Sequence, residues 1–187
     1  MPQWTEMTPA EAYSFALPKS NRPICIIGAG GIVRDAHLPA YKKAGFNVWG
    51  IVNRTKDRAE KLAFEYGIEN VFDNLNEAVR AAPDNCVFDI ALMPEQYEAT
   101  LESLPDGSAV LIQKPLGNDL DSARVLSRIC ERKKLVAAVN TQLRFAPYIE
   151  KARQIIADGT LGEVFDFQIR ISVNTPWELF PHVFGAE

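Results

Sequence analysis

The sequence predicts an α/β fold, a doubly wound parallel sheet followed by the beginning of an α+β unit. Three observations carry this expectation. Short apolar runs alternate with amphipathic helical stretches from Ile24 to Val139, a glycine-rich turn joins the first run to the first helix, and after Thr141 the pattern gives way to one strictly alternating stretch. Parallel neighbours need a crossover, and right-handed crossovers cover both faces of the sheet. The same patterning divides the chain into a lead-in over residues 1–22, an α/β domain over 23–141 and an incomplete second domain over 142–187.

Taken in order, Thr8-Pro9 ahead of AEAYSFAL reads as the capped start of a short helix ended by Pro18. Ile24-Cys25-Ile26-Ile27 is an apolar run of the kind buried on both faces. The chain turns at Gly28-Ala29-Gly30-Gly31, and apolar residues at three- and four-residue spacing from Ile32 to Ala44 make a helix that Gly45 stops. Val48 to Val52 is the second strand, followed by a helix from Lys56 to Tyr66 that ends at Gly67. Val71-Phe72 is a short third strand and Leu75 to Ala81 a helix. Val87 to Leu92, Ala109 to Ile112 and Leu135 to Val139 are further strands, separated by helices near Glu95 to Leu104 and Leu120 to Lys133.

Beyond them, Pro147 to Ala157 reads as a helix ended at Asp158-Gly159. From Val164 to Val173 the odd positions are apolar, whereas Asp166, Gln168, Arg170 and Ser172 make a polar even face. A lone amphipathic strand leaves backbone donors and an apolar face uncovered. It is therefore expected to gain its sheet from further chain or from another copy, which is the motive for a homo-oligomer through this strand.

Composition narrows the function. With 47% hydrophobic and 24% charged residues the chain has the balance of a globular domain. Its net charge of −4 argues against nucleic acid and against anionic membranes, and favours a small-molecule substrate. Cys25, Cys86 and Cys130 lie far apart, form no CxxC pair and suggest no metal site, which fits a reducing compartment. The start MPQWTEMTPAEAYSF lacks the basic and long apolar segments of a signal peptide, so the expected location is cytoplasmic.

Gly28-Ala29-Gly30-Gly31-Ile32-Val33 sits where a dinucleotide fingerprint belongs, after the first strand and at the opening of the first helix. Gly28 permits the tight turn, Gly30 admits a pyrophosphate, and the helix N-terminus offers free N–H groups. Val33 stands at the third glycine position. The second strand runs into Asn53-Arg54-Thr55, where NAD-preferring folds keep a carboxylate for the ribose hydroxyls. With none present, Asn53 and Thr55 can hydrogen-bond a 2′-phosphate and Arg54 can pair with it, which favours NADP(H) and leaves NAD as the second option. Against this stands Arg54 as one more solvated charge beside an N-cap threonine. Gln113-Lys114-Pro115 follows the fifth strand at the carboxyl edge, and Lys114 is the candidate catalytic residue, placed to donate or orient a proton.

These residues resemble the glucose-fructose oxidoreductase, inositol dehydrogenase and rhizopine-catabolism family, Gfo/Idh/MocA. The resemblance runs from about Pro23 onward. It rests on the glycine turn, Met93-Pro94 after the fourth strand, Gln113-Lys114-Pro115 resembling the family's Glu-Lys-Pro, and Asn140 with Arg144-Phe145-Ala146-Pro147 resembling its Asn…Arg-Phe-x-Pro. It implies a Rossmann-type nucleotide-binding domain, then a larger α+β domain with an open sheet. The implied reaction is hydride transfer between a nicotinamide cofactor and a sugar, cyclitol or related alcohol. Gln113 in place of the common Glu would turn a carboxylate contact to the cofactor ribose into an amide contact.

The family's substrate-side His and Asp motif has no match here. His37 and His182 are assigned to structure or solvent. Trp177 and Phe180 suit either a sugar pocket or packing under a loop. The alternatives to an oxidoreductase are a catalytically silent nucleotide-binding protein and a fragment with no function of its own.

Overall fold

The computed structural model describes residues 18 and 20–172. Six strands form one sheet in the order β3-β2-β1-β4-β5-β6. They are β1 (Ile24–Ile27), β2 (Val48–Val52), β3 (Asn70–Phe72), β4 (Val87–Ile90), β5 (Ala109–Gln113) and β6 (Val136–Asn140), and every pairing is parallel. The chain reverses its direction of travel across the sheet between β1 and β4. Register fixes what meets there: Ile27 is level with Val52 and Ile90, Ile90 with Ile112, and Gln113 with Asn140. Gly28, Asn53, Ala91, Gln113 and Asn140 therefore share one level at the carboxyl edge.

The strand period of two sends alternate side chains into two cores. Cys25, Ile27, Phe88, Ile90, Val110 and Ile112 pack on one face with Tyr97 and Leu101 of α4 (Tyr97–Ser103) and Leu126 and Ile129 of α5 (Leu120–Arg132). Ile24, Ile26 and Ile51 pack on the other with Val33, Leu38 and Leu62, the last two from α1 (Leu38–Ala44) and α2 (Lys56–Tyr66). Each large side chain so buried is worth about 1.5–3 kcal/mol, and together they fix the strand ends that carry the site. Asn74 caps α3 (Leu75–Ala81) by accepting from the Glu77 N–H, and Asp119 and Ser122 close a capping box on α5.

The first helix is not regular. Over Val33–His37 it widens into a π turn, with the Leu38 N–H donating to the Val33 carbonyl, before continuing as α1. Pro39 explains the location: it has no N–H to give, and its ring crowds the carbonyl four residues back, so the ladder opens just before it. The helix expected over Glu95 to Leu104 begins as a 3-10 turn at Pro94–Gln96, and another such turn spans Gln142–Phe145.

The described residues from Ala146 onward belong to a separate compact unit containing α6 (Pro147–Ala157). The strand expected from Val164 is absent among the described residues, which run on without helix or ladder to Ser172. An extended segment becomes a strand only against a partner edge, and here Phe165, Phe167, Ile169 and Ile171 stay exposed. The lead-in helix, Val173, Trp177, Phe180 and His182 lie outside the described residues. Among the described residues no helix is long and apolar enough to cross a membrane.

Candidate nucleotide-binding site

The site starts at the turn after β1. The Gly28 N–H donates to the Val52 carbonyl at 2.8 Å, and the Ala91 N–H donates to Ile27 at 2.9 Å, so the turn is pinned between β2 and β4. Gly28 has φ +117°, and a Cβ on it would lie 2.4 Å from the Ala91 carbonyl oxygen. Only glycine fits both the backbone angle and the approach. Gly30 is the opposite case: a Cβ there would meet nothing within 4 Å, so the space over the turn is open on the side where a pyrophosphate would approach. Beyond it, the first-turn N–H groups of the helix and its positive dipole end suit an anion.

Asn53 braces this turn. Its Oδ1 accepts from the Ala29 N–H at 3.1 Å and its Nδ2 donates to the Thr55 carbonyl at 2.8 Å. The amide expected to meet a phosphate is thus engaged within the protein. The neighbouring cations are not: Arg54 and Arg58 are exposed and have no ion pair among the described residues, whereas Arg34 is held by Asp35 and Lys56 by Asp73. Val52, Asn53, Arg54, Thr55, Leu92 and Thr100 line a recess of about 360 Å³, and Gly30, Gly31 and Lys61 line another of about 440 Å³ beside it. Arg58 borders both. Sequence reading missed it because an arginine in a charged helix face looks like any solvated charge.

Val33, expected among the cofactor contacts, is fully buried in the core, and its N–H donates to the Gly30 carbonyl. It packs the helix on the sheet and offers a ligand no surface. Ile32 is 40% exposed and Met93 52% exposed, with Pro94 opening the turn after β4. Arg144 is exposed in the 3-10 turn after β6.

At the end of β5, Gln113 is buried and Lys114 exposed, and the Lys114–Pro115 peptide is cis. The Lys114 ammonium has no hydrogen-bond or ion-pair partner among the described residues. The Gln113 Oε1 accepts from the Lys114 backbone N–H at 2.8 Å, and its amide nitrogen lies 3.2 Å from His37 Nε2. The Asn140 amide nitrogen lies 3.3 Å from the same atom. On the other side of the ring, His37 Nδ1 is 2.7 Å from Asp89 Oδ2, to which the Tyr41 hydroxyl also donates at 2.9 Å. Burial and the Asp89 charge push the Tyr41 phenol well above its usual range, so it remains a donor. Two of the expected site residues are therefore joined beneath the edge by a group the sequence reading set aside as structural. The signals present in the sequence were one aspartate, Asp89, inside an apolar strand and Pro39 two residues after His37.

Among the described residues no group of three or more His, Cys, Asp or Glu could hold a metal ion. The parallel sheet, the glycine turn at its switch point and the open space above it define a dinucleotide-binding protein. The chain belongs to the Gfo/Idh/MocA family: the model for the oxidoreductase family with an NAD-binding Rossmann fold matches residues 23–141.

Uncharacterized protein YMR315W of Saccharomyces cerevisiae is 34% identical over 70% of this chain and 39% of its own length. D-glucoside 3-dehydrogenase of Escherichia coli is 26% identical over 80% of this chain and 43% of its own. The chain thus spans less than half the length of these two curated relatives. A solved oxidoreductase from Agrobacterium radiobacter, in complex with NAD+, L-tartaric acid and magnesium, has the same fold, with a TM-score of 0.67 at 21% identity over 77% of this chain and 42% of that one.

Proposed function

We propose that this chain is the cofactor-binding part of an NADP(H)-preferring oxidoreductase that transfers a hydride between the nicotinamide and a sugar, cyclitol or related alcohol or carbonyl. The observation that carries the reading is the position of Lys114: an exposed ammonium, unpaired among the described residues, one residue beyond the sheet edge whose level Gly28, Gln113 and Asn140 share. The pyrophosphate would lie over Gly28 to Gly31, with the 2′-phosphate against Arg54, Thr55 and Arg58. Neither guanidinium has an ion-pair partner among the described residues, and each can offer a planar fork to a phosphate.

The nicotinamide, when bound, supplies or accepts the hydride. Lys114 would hydrogen-bond the reacting oxygen of the substrate and hold or pass on its proton. Gln113 and Asn140 would border the reacting end. A sugar or polyol substrate is supported by the glucoside dehydrogenase among the relatives.

Calorimetric titration with NADPH and NADH, followed by turnover assays on a panel of sugars and polyols, tests this reading. Tighter NADPH binding is expected, with little or no turnover by this chain alone, because the substrate-side His and Asp motif has no match in it. Equal or tighter NADH binding would remove the NADP(H) preference, robust turnover by this chain alone would overturn its assignment as a cofactor-binding part, and failure to bind either cofactor would remove the reading.

A further inference from the structure

The hydrogen bonds beneath the carboxyl edge have a polarity that can be read from one fixed point. A backbone N–H can only donate, so Gln113 must turn its carbonyl oxygen toward the Lys114 N–H and its amide hydrogens toward His37. His37 Nε2 is then an acceptor. The Asn140 amide nitrogen shares it, and distances of 3.2 and 3.3 Å are the lengthened pair expected when two donors meet one in-plane lone pair. The ring proton consequently sits on Nδ1 and is donated to Asp89 Oδ2 at 2.7 Å. Asp89 is fully buried and its Oδ1 has no partner among the described residues, so of these His37 and Tyr41 supply the carboxylate's side-chain hydrogen bonding. Every donor in the chain points the same way, from the Lys114 backbone through Gln113 and His37 to Asp89, the arrangement in which successive bonds strengthen one another.

We propose that His37 is a positioning residue: as the Nδ1–H tautomer anchored by Asp89, it fixes the amide orientations of Gln113 and Asn140 at the nicotinamide end of the site. The inference rests on the cofactor reading above. The Asn140 carbonyl oxygen, which has no partner among the described residues, is thereby left as an acceptor for the cofactor or substrate. His37 is the last residue of the π turn before Pro39 and is buried there.

The first test is long-range proton–nitrogen NMR on the full chain labelled with 15N-histidine. Its two histidines are told apart by a His37→Asn variant. The expected result near neutral pH is the Nδ1–H tautomer at His37 in the wild type. An Nε2–H tautomer there overturns the hydrogen-bond assignment whether or not a cofactor binds.

The second test reads positioning without turnover. His37→Asn keeps a donor toward Asp89 but is too short to reach the two amides. It should weaken NADPH binding by about tenfold, the loss of roughly one well-made hydrogen bond, and leave 2′,5′-ADP, which has no nicotinamide, bound as in the wild type. Equal weakening of both ligands, or weakening of neither, contradicts the positioning role. If the wild type binds neither ligand, the cofactor reading fails and this positioning role fails with it, while the tautomer result stands separately.

Discussion

Gly28 and Ala91 approach so closely that a single added methyl group on Gly28 would lie 2.4 Å from the Ala91 carbonyl oxygen. The turn over which the cofactor is proposed to lie is therefore built by contact between two strand ends at the switch point. The two glycines of the turn should separate in their effects. Gly28→Ala is strained in both φ and space and should destabilise the protein by roughly 2–4 kcal/mol in urea unfolding. Gly30→Ala meets nothing within 4 Å, so it should leave stability within about 1 kcal/mol and instead weaken NADPH binding. Equal loss of stability in both variants would contradict this division.

Arg54 and Arg58 should set cofactor preference together. Each single change to alanine is expected to weaken NADPH by roughly tenfold, the scale of one charge-assisted contact, while NADH changes little. The double variant should bind the two cofactors about equally. Calorimetry on the four proteins checks it, and an unchanged NADPH preference in the double variant would move the 2′-phosphate elsewhere.

Tyr41 donates to a buried carboxylate whose other oxygen is unpaired among the described residues. Tyr41→Phe removes that donor without changing the ring's volume, and should cost roughly 1.5–3 kcal/mol of stability. A loss under about 0.5 kcal/mol would mean that water already serves Asp89.

Alkaline pH should unfold the protein. Burial pushes the Cys25 thiol up to about 12 and the Cys86 thiol up to about 11, and burial pushes the Tyr97 phenol up to about 12. Groups that hold their protons more tightly in the folded state give stability that is complete below their unfolded values of 9.0 and 10.0 and is lost as pH rises through the folded ones. The melting temperature should not fall on account of these groups between neutrality and about pH 9, then drop steeply toward pH 12. A melting temperature that stays level to pH 12 would show that these groups ionise without unfolding.

The strand order and the glycine turn were legible because they rest on local signals: apolar runs, stop residues and a turn that only glycine tolerates. Lys114 was legible for the same reason, as a charge closing an apolar strand. The cluster beneath it was not, because it joins His37, Asp89, Gln113 and Asn140, residues from four elements that meet only through strand register and a widened helix turn. Val33 was misread as a contact because a fingerprint position says where the backbone goes and not which way the side chain packs. Asn53 is chemically able to bind phosphate, but the nearby Ala29 N–H engages it first. The stretch after Val164 shows the limit of periodicity: alternation marks what a strand would bury, while pairing depends on an edge that the stretch itself does not contain.

The most direct test of the central claim is an amide NMR titration of the full chain with NADPH. The account predicts the largest shifts at Gly28, Gly30 and Gly31, at Arg54, Thr55 and Arg58, and at Gln113, Lys114 and Asn140, the residues around the carboxyl edge. Saturation with no shifts there, or shifts confined to the groove between α5 and β6 lined by Leu126, Leu135 and Ala137, would contradict it.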